Sequence, residues 1–263
     1  MRLAMVFTSA LLLSVAHSAA KSKSVEYKLD TVSLEGFLVT EGGSKGKKPG
    51  VVLFSDWMGV TDYARAKAEQ VAKMGYVVFI ADIYGKGKNP KDDKEAGAIA
   101  AIYKSDRALM RSRAAAGLAQ LKLAPGVDTN RLAAMGFCFG GTVALELARS
   151  GANLVGTASV HGNLDTPNRE MAKNIKGTIL ALHGADDPFV PAEQVRNFQD
   201  EMRSAGADWY MIYFGSAVHA FTKPEAGNDP SKGQAYNPKA EARAFVALRD
   251  FYQEVFAAKT ARK

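Results

Sequence analysis

The chain has 263 residues, of which 47% are hydrophobic and 23% are charged, and its formal net charge is +7 at pH 7. This composition supplies a sizeable apolar core and argues against disorder, and the length is normal for one large α/β domain. The basic residues are scattered, so a solvated surface is favoured over a nucleic-acid interface. A single cysteine, Cys138, excludes a disulfide within the chain and a structural metal site built from several thiolates.

The first 20 residues differ in kind from the rest of the chain. The segment MRLAMVFTSALLLSVAHSAA has one arginine near its start, an apolar run over residues 3–15 and small residues after it. This layout predicts a secretory signal peptide over residues 1–20, cleaved after Ser18 or Ala20, with a non-cleaved anchor as the alternative. We therefore expect an exported protein, periplasmic or secreted, with no stable membrane span after cleavage.

Strand-like and helix-like segments alternate along the remainder, residues 21–263. Residues 25–29 and 34–40 alternate as in a hairpin. Short apolar runs predict buried strands at 51–54, 77–80, 131–137, 154–160, 178–184 and 209–214. Helices are expected near 62–74, 92–122, 139–150, 191–205 and 238–258. The alternation predicts one α/β domain over 21–263, with a mostly parallel sheet and helices on both of its faces.

The segment GFCFGG, residues 136–141, ends one predicted strand and opens the next helix. Small-x-nucleophile-x-small at such a junction is the nucleophile elbow of α/β-hydrolases, which predicts that fold with Cys138 as the nucleophile. Gly136 and Gly140 have to be small there so that strand and helix can approach. The helix N-terminus favours a thiolate, and the N–H of Phe139 can point at a developing oxyanion. A buried structural cysteine is the alternative.

A cysteine nucleophile needs a base, and the base needs an acid that orients it. The α/β-hydrolase order is nucleophile, acid, histidine, and His219 is the histidine that follows a plausible acid after a strand. His161 and His183 each close a strand, where a satisfied strand-end histidine is the plainer interpretation. The loop HGADDPFVP offers Asp186 and Asp187, which this reasoning does not separate. A metal site of His183 with both carboxylates matches no ligand spacing, so no metal is predicted.

GFCFGG, GADDPFVP and AVHAF in this order resemble the dienelactone hydrolase family, whose members carry a Cys-Asp-His triad on an α/β-hydrolase fold. The resemblance covers about residues 25–258. It implies Asp187 as the acid, because the family pattern GxxDxxVP matches the chain at Gly184, Asp187, Val190 and Pro191.

The resemblance also implies roles for residues outside the triad. Asp56, in SDWMG, stands where the family has a glutamate that exchanges a proton with the thiol, although a turn-forming aspartate is the alternative. The N–H of Trp57 is implied as the second oxyanion donor. Two family arginines that bind a substrate carboxylate are matched by Lys86 and Lys223, which keep the charge but lose the planar grip and could also be solvated.

Together, the motifs and the resemblance predict an exported, cysteine-dependent hydrolase of the dienelactone hydrolase type, cleaving an ester or lactone through an acyl-enzyme. Its substrate is a small molecule, for which an anionic group is compatible with the lysines, and Tyr84 and His161 are further candidate substrate contacts. No organic cofactor or metal is expected, no nucleic acid is a partner, and a monomer is the default. The alternatives are a thiol-dependent peptidase or acyltransferase on the same triad, or a non-catalytic binding protein on this fold.

Overall fold

The computed structural model describes residues 20–42 and 46–257. Its strands are β1 (Ala20–Leu29), β2 (Val32–Glu41), β3 (Lys48–Phe54), β4 (Val77–Ala81), β5 (Val127–Phe137), β6 (Gly156–Val160), β7 (Thr178–Gly184) and β8 (Trp209–Phe214). Its α-helices are α1 (Asp62–Ala72), α2 (Asp93–Ser105), α3 (Arg107–Leu123), α4 (Phe139–Arg149), α5 (Ala192–Ala205) and α6 (Pro238–Ala257). The predicted signal peptide lies outside the described residues, except that Ala20 begins β1.

The eight strands form one sheet in the order β1-β2-β4-β3-β5-β6-β7-β8. From β4 across to β8 all neighbours are parallel, whereas β1 and β2 form an antiparallel hairpin added to β4. This confirms the predicted α/β-hydrolase architecture with a mostly parallel sheet.

Helices cover both faces of the sheet, because the central strands carry apolar side chains on both faces. On β3, Val51 and Leu53 belong to the apolar cluster that includes α1 and α6, while Val52 and Phe54 belong to the one that includes α3 and α4. Because successive side chains of a strand point to opposite faces, this run of four fully buried residues fills both cores. No helix in the described ranges is long and apolar enough to cross a membrane.

The single helix predicted near 92–122 is two helices. Asp106 leaves the helical region, with φ −113° and ψ 84°, and its N–H closes α2 on the carbonyl of Ile102. Its carboxylate then accepts the N–H of Leu109 at 2.8 Å and caps the start of α3. Buried residues recur at helical spacing through both helices, so the hydrophobic pattern alone does not reveal where α2 ends. The break depends on a single capping aspartate.

A buried ionic network fixes α4, the helix that follows the elbow. Arg149 is fully buried and donates to both carboxylate oxygens of Glu201 on α5, at 2.8 and 2.9 Å, and to Glu146 at 3.2 Å. Glu146 also pairs with Arg111 on α3 at 2.7 Å. Removing one partner of such a buried set usually costs about 3–5 kcal/mol, because the remaining charge stays buried and unpaired. The network therefore ties α4 to α3 and α5.

Five strands deliver candidate residues to that edge. Each polar or reactive side chain follows its strand within a few residues, and parallel neighbours bring these positions together. After β3, β5, β6, β7 and β8 come, respectively, Asp56 with Trp57, Cys138, His161, Asp187 and His219.

Candidate active site

The backbone at Cys138 has the strained geometry that the elbow demands. Its φ is +53° and its ψ is −119°, a conformation that costs of order 1–3 kcal/mol and persists only where the surroundings enforce it. A Cβ built on Gly136 would lie 2.0 Å from the carbonyl oxygen of Gly140, and one on Gly140 would lie 2.1 Å from that of Phe54. Glycine is therefore required at both positions for β5, β3 and α4 to approach.

Cys138, His219 and Asp187 form one hydrogen-bonded chain. The Nε2 of His219 lies 3.0 Å from the Sγ of Cys138, and its Nδ1 lies 2.8 Å from Oδ2 of Asp187. The other Asp187 oxygen accepts the N–H of Phe189 at 2.9 Å, which fixes the carboxylate. Asp187 is buried, whereas Asp186 is exposed. Of the two aspartates that the sequence left open, Asp187 is the one in contact with the imidazole.

The electrostatics of the site favour a charged imidazole. Burial alone lowers the pKa of His219, but the negative sulfur of Cys138 and hydrogen bonds with Asp187 and Cys138 outweigh it and raise the pKa to about 10. In proteins, a cationic imidazole beside a cysteine sulfur is a usual means of activating that sulfur as a nucleophile. The arrangement is that of an activated sulfur nucleophile whose partner can also deliver a proton.

Two backbone N–H groups, those of Trp57 and Phe139, are the predicted oxyanion donors. Phe139 is the first residue of α4, where an N–H has no intrahelical partner. At Trp57 the neighbouring N–H groups of Met58 and Gly59 bond to Asp56, and the Trp57 N–H has no acceptor within the described ranges. Both N–H groups are thus free to meet a ligand.

Asp56 and Lys223 form an ion pair at the wall of the site. Oδ2 of Asp56 accepts from Nζ of Lys223 at 2.6 Å, and Oδ1 accepts the N–H of Met58 at 3.0 Å. Asp56 is only 3% exposed, and no hydrogen bond joins it to the thiol among the described residues. The structure thus brings Asp56 to the site, but its carboxylate pairs with Lys223, whereas the sulfur of Cys138 contacts His219.

Tyr84 and Lys86 do not reach the substrate space. Tyr84 is buried, and its hydroxyl donates to the carbonyl oxygen of Trp57 at 3.0 Å. The ammonium of Lys86 pairs with Glu26 on β1. The structure therefore places Tyr84 behind the Trp57 loop and Lys86 on the outer surface.

A cavity of about 380 Å³ opens over the sulfur. It is lined by the predicted Asp56, Trp57, Cys138, His161, His219 and Lys223, and by Lys104, Asn163, Phe189, Ala220 and Gln234. Sequence reasoning missed the second group, because its members come from α2 and from loops whose course no local pattern specifies. The half-exposed Phe189 packs its ring edge-on against His219, with centroids 5.5 Å apart, and so screens the base from solvent.

The alternative of a metal site at His183 finds no support in the geometry. His183 packs edge-on against Tyr213, and burial lowers its pKa. Among residues 20–42 and 46–257, no group of three or more His, Cys, Asp and Glu side chains is arranged to hold a metal ion.

Comparison with known proteins gives the same assignment as the motifs. A family profile described as the dienelactone hydrolase family matches residues 34–256. A solved structure titled m3DLH has a TM-score of 0.87 and 39% identity, and covers 91% of this chain and all of its own. The dienelactone hydrolase-like promiscuous phosphotriesterase P91, from metagenomic libraries, has the same TM-score and coverage at 37% identity. An Escherichia coli K12 protein provisionally named as a carboxymethylenebutenolidase is 25% identical over 191 residues, 68% of this chain and 69% of its own.

The contact of Cys138 with His219, whose pKa is raised, predicts a nucleophile whose reaction rate changes little between pH 8.5 and pH 6.5. An ordinary thiol, with a pKa near 8.5, loses about 50-fold of its thiolate between pH 8.5 and pH 6.5. Because His219, whose pKa is raised to about 10, lies 3.0 Å from the sulfur, we expect the iodoacetamide reaction rate of Cys138 to fall by less than about 5-fold over that interval. Asp187→Asn removes the carboxylate that stabilises the cation and should restore a steep profile. A 50-fold fall in the native protein would contradict the charged pair.

Proposed function

This chain belongs to the dienelactone hydrolase family and is a hydrolase, and we propose that it cleaves a carboxylic ester or lactone with Cys138 as the nucleophile. The observation that carries the proposal is the chain of contacts from sulfur to imidazole to buried carboxylate, at 3.0 and 2.8 Å. In this proposal His219 exchanges the protons and Asp187 orients its ring. The residues supply all the groups that acyl transfer requires, without a cofactor.

The first half of the reaction forms an acyl-enzyme. The sulfur of Cys138 attacks the carbonyl carbon, and the carbonyl oxygen takes up negative charge that the N–H groups of Trp57 and Phe139 would stabilise. The bond from that carbon to the leaving oxygen then breaks, and Nε2 of His219 gives its proton to the leaving alkoxide. The acyl group remains as a thioester, and with a lactone the released alcohol stays part of the same acyl chain.

The second half regenerates the enzyme. A water molecule attacks the thioester carbon while Nε2 of His219 takes one of its protons, and the carbon–sulfur bond breaks. The product leaves as a carboxylic acid, and the site returns to thiolate and imidazolium. A saturated lactone thus gives a hydroxy acid, and an enol lactone gives an enol that becomes a keto acid; opening of a lactone ring is what the names of the matched family and of the Escherichia coli relative suggest for this chain.

The experiment measures hydrolysis of short p-nitrophenyl esters and of a panel of lactones by the purified protein, beside Cys138→Ala and Cys138→Ser. We expect Cys138→Ala to lower kcat/KM by at least about 10⁴-fold, since removing a nucleophile disables the whole unit. Cys138→Ser keeps the side-chain shape but offers a hydroxyl that an imidazolium does not ionise, so a large loss is expected there too.

Product analysis separates the alternatives. Free acid as the product supports a hydrolase, transfer to added amines or alcohols in preference to water would indicate an acyltransferase, and cleavage of peptides in place of esters a peptidase. Native turnover that survives in Cys138→Ala would refute the proposed nucleophile. Absence of turnover in the native protein on every substrate class would favour a binding protein on this fold.

We further propose that an anionic group on the substrate is recognised by Lys104. The charge of Lys223 is matched by Asp56 and that of Lys86 by Glu26. Lys104, from α2, lines the cavity and donates to Oδ1 of Asn163 at 3.4 Å. In the described ranges no carboxylate pairs with it, so its charge is available to a carboxylate on the substrate.

Lys104→Gln is expected to lower kcat/KM for the p-nitrophenyl half-ester of succinic acid by about 3- to 5-fold, the upper part of the range that one screened ion pair supplies. Hydrolysis of the neutral butyrate ester should stay within 2-fold, since no charge is lost that this ester uses. Lys86→Gln distinguishes the two candidate lysines. If Lys86 bound the substrate as the family resemblance implies, this variant would lower kcat/KM for the half-ester; because Lys86 pairs with Glu26, we expect no such fall. Equal loss on both esters in Lys104→Gln would rule out a charge effect.

We propose that residues 1–20 export the protein to the periplasm or the medium. The support is the pattern of one arginine, an apolar run and small residues at Ser18 and Ala20. Expressed as the full chain in a Gram-negative bacterium, the protein should appear outside the cytoplasm with its N-terminus at Ala19 or Lys21. Leu12→Arg, which interrupts the apolar run, should retain the uncleaved chain inside. A native product that begins at Met1 and stays cytoplasmic would refute export.

A further inference from the structure

A second histidine lies directly behind the nucleophile. His161 follows β6, is 2% exposed, and its ring centroid lies 5.3 Å from that of His219. Its Nδ1 accepts the backbone N–H of Cys138 at 3.1 Å, a bond that the N–H shares with the carbonyl of Val160 at 3.0 Å. The nearly buried ring thus contacts the strained backbone of the elbow, and only its edge reaches the cavity.

The opposite edge of the ring bonds to the hydroxyl of Thr222, which in turn bonds to the hydroxyl of Tyr63. Because Nδ1 is an acceptor, the hydrogen of the neutral ring sits on Nε2, which donates to Oγ1 of Thr222 at 2.8 Å. Thr222 is fully buried, and its hydroxyl lies 2.7 Å from the Tyr63 hydroxyl on α1. A chain of three neutral groups therefore runs from α1 to the nucleophile.

Burial and the neighbouring cations hold His161 in this neutral form. Burial lowers its pKa well below the usual range, and the cations His219, Lys223 and Lys67 lower it further. Tyr63 also faces it through Thr222, and burial raises the pKa of that phenol, so it stays protonated. The remaining charged neighbours are the sulfur of Cys138 itself and Asp56, which is paired with Lys223.

We propose that His161 is a positioning residue for the nucleophile: its Nδ1 fixes the Cys138 backbone, and Thr222 and Tyr63 fix the orientation of its ring. The strained φ of Cys138 requires a surrounding structure that enforces it, and this acceptor is a side-chain contact made directly to that peptide. A small displacement of the sulfur relative to His219 would lengthen the 3.0 Å contact on which activation depends. The proposal rests on the proposed thiol chemistry at Cys138.

Two substitutions of His161 separate the acceptor from the rest of the ring. Its own φ is +41°, which asparagine tolerates better than most residues, and the Asn oxygen can occupy the place of Nδ1. We expect His161→Leu to lower kcat by about 10- to 100-fold, the scale of a misplaced reacting group, with KM changed by less than about 3-fold. His161→Asn should recover most of the activity, to within about 5-fold of native.

Thr222→Val tests the same chain without touching either histidine. The substitution keeps the shape of the side chain and removes the hydrogen-bond partner of Nε2 of His161. The imidazole therefore stays in the same pocket but is no longer held in one orientation. We expect kcat to fall by about 3- to 10-fold, and this variant serves if His161→Leu does not fold. The matched control is His183→Leu, which removes another buried strand-end histidine that touches no part of the elbow and should stay within about 3-fold of native.

The decisive readout is the iodoacetamide reaction rate of Cys138, measured beside the thermal unfolding temperature of each variant. We expect His161→Leu to react at least 10-fold more slowly at pH 7 and His161→Asn to react at close to the native rate. Because alkylation needs no turnover, it tests His161 even if every ester and lactone proves inert. A folded His161→Leu with native kcat and native alkylation would overturn the proposal, as would an Asn variant as impaired as the Leu variant.

Discussion

The close approach of β5 to α4 is the constraint on which the site depends. With Gly136 and Gly140 in near contact, the chain can turn from strand to helix only through a left-handed residue, and Cys138 occupies that position. The turn has two consequences at once. It projects the sulfur beyond the sheet edge, and it sets the sulfur at the first turn of a buried helix whose N–H groups favour negative charge. If β5 and α4 lay further apart, the residue at position 138 would neither project beyond the sheet edge nor sit at the first turn of α4, whatever its side chain.

The charges at this edge are matched in pairs, and the pairing explains which residue does what. The sulfur faces the imidazolium of His219, which faces the buried Asp187, while Asp56 faces Lys223 across the cavity wall. A carboxylate already bound to an ammonium is a poor acceptor for a thiol proton. The position that the resemblance assigns to a glutamate is therefore occupied here by a group with a different partner, and the proposed mechanism assigns activation of the sulfur to the histidine.

Much of the fold and the central contacts could be predicted from the sequence because their signals are local. Strand runs, the glycines of GFCFGG and the order of the three motifs each report on a few neighbouring residues, and the parallel sheet then brings the strand ends together. The helix break at Asp106 depends on one capping carboxylate within a continuous apolar period, so it was missed. Lys104, Asn163 and Gln234 reach the cavity from separate elements, and only tertiary packing relates them.

The two histidines of the site show how one residue type acquires opposite states from its surroundings. Both rings are almost fully buried, and burial lowers the pKa of each. The carboxylate of Asp187 and the sulfur of Cys138 contact His219 and raise its pKa despite burial. His161 contacts only an N–H at Nδ1 and a hydroxyl at Nε2, and neither partner stabilises a positive charge on the ring. With rings 5.3 Å apart, a second cation would also be repelled by the first. Burial and the charge on His219 thus both keep His161 neutral, and the proposed mechanism, which needs the imidazolium, also needs its neighbour to remain an uncharged acceptor.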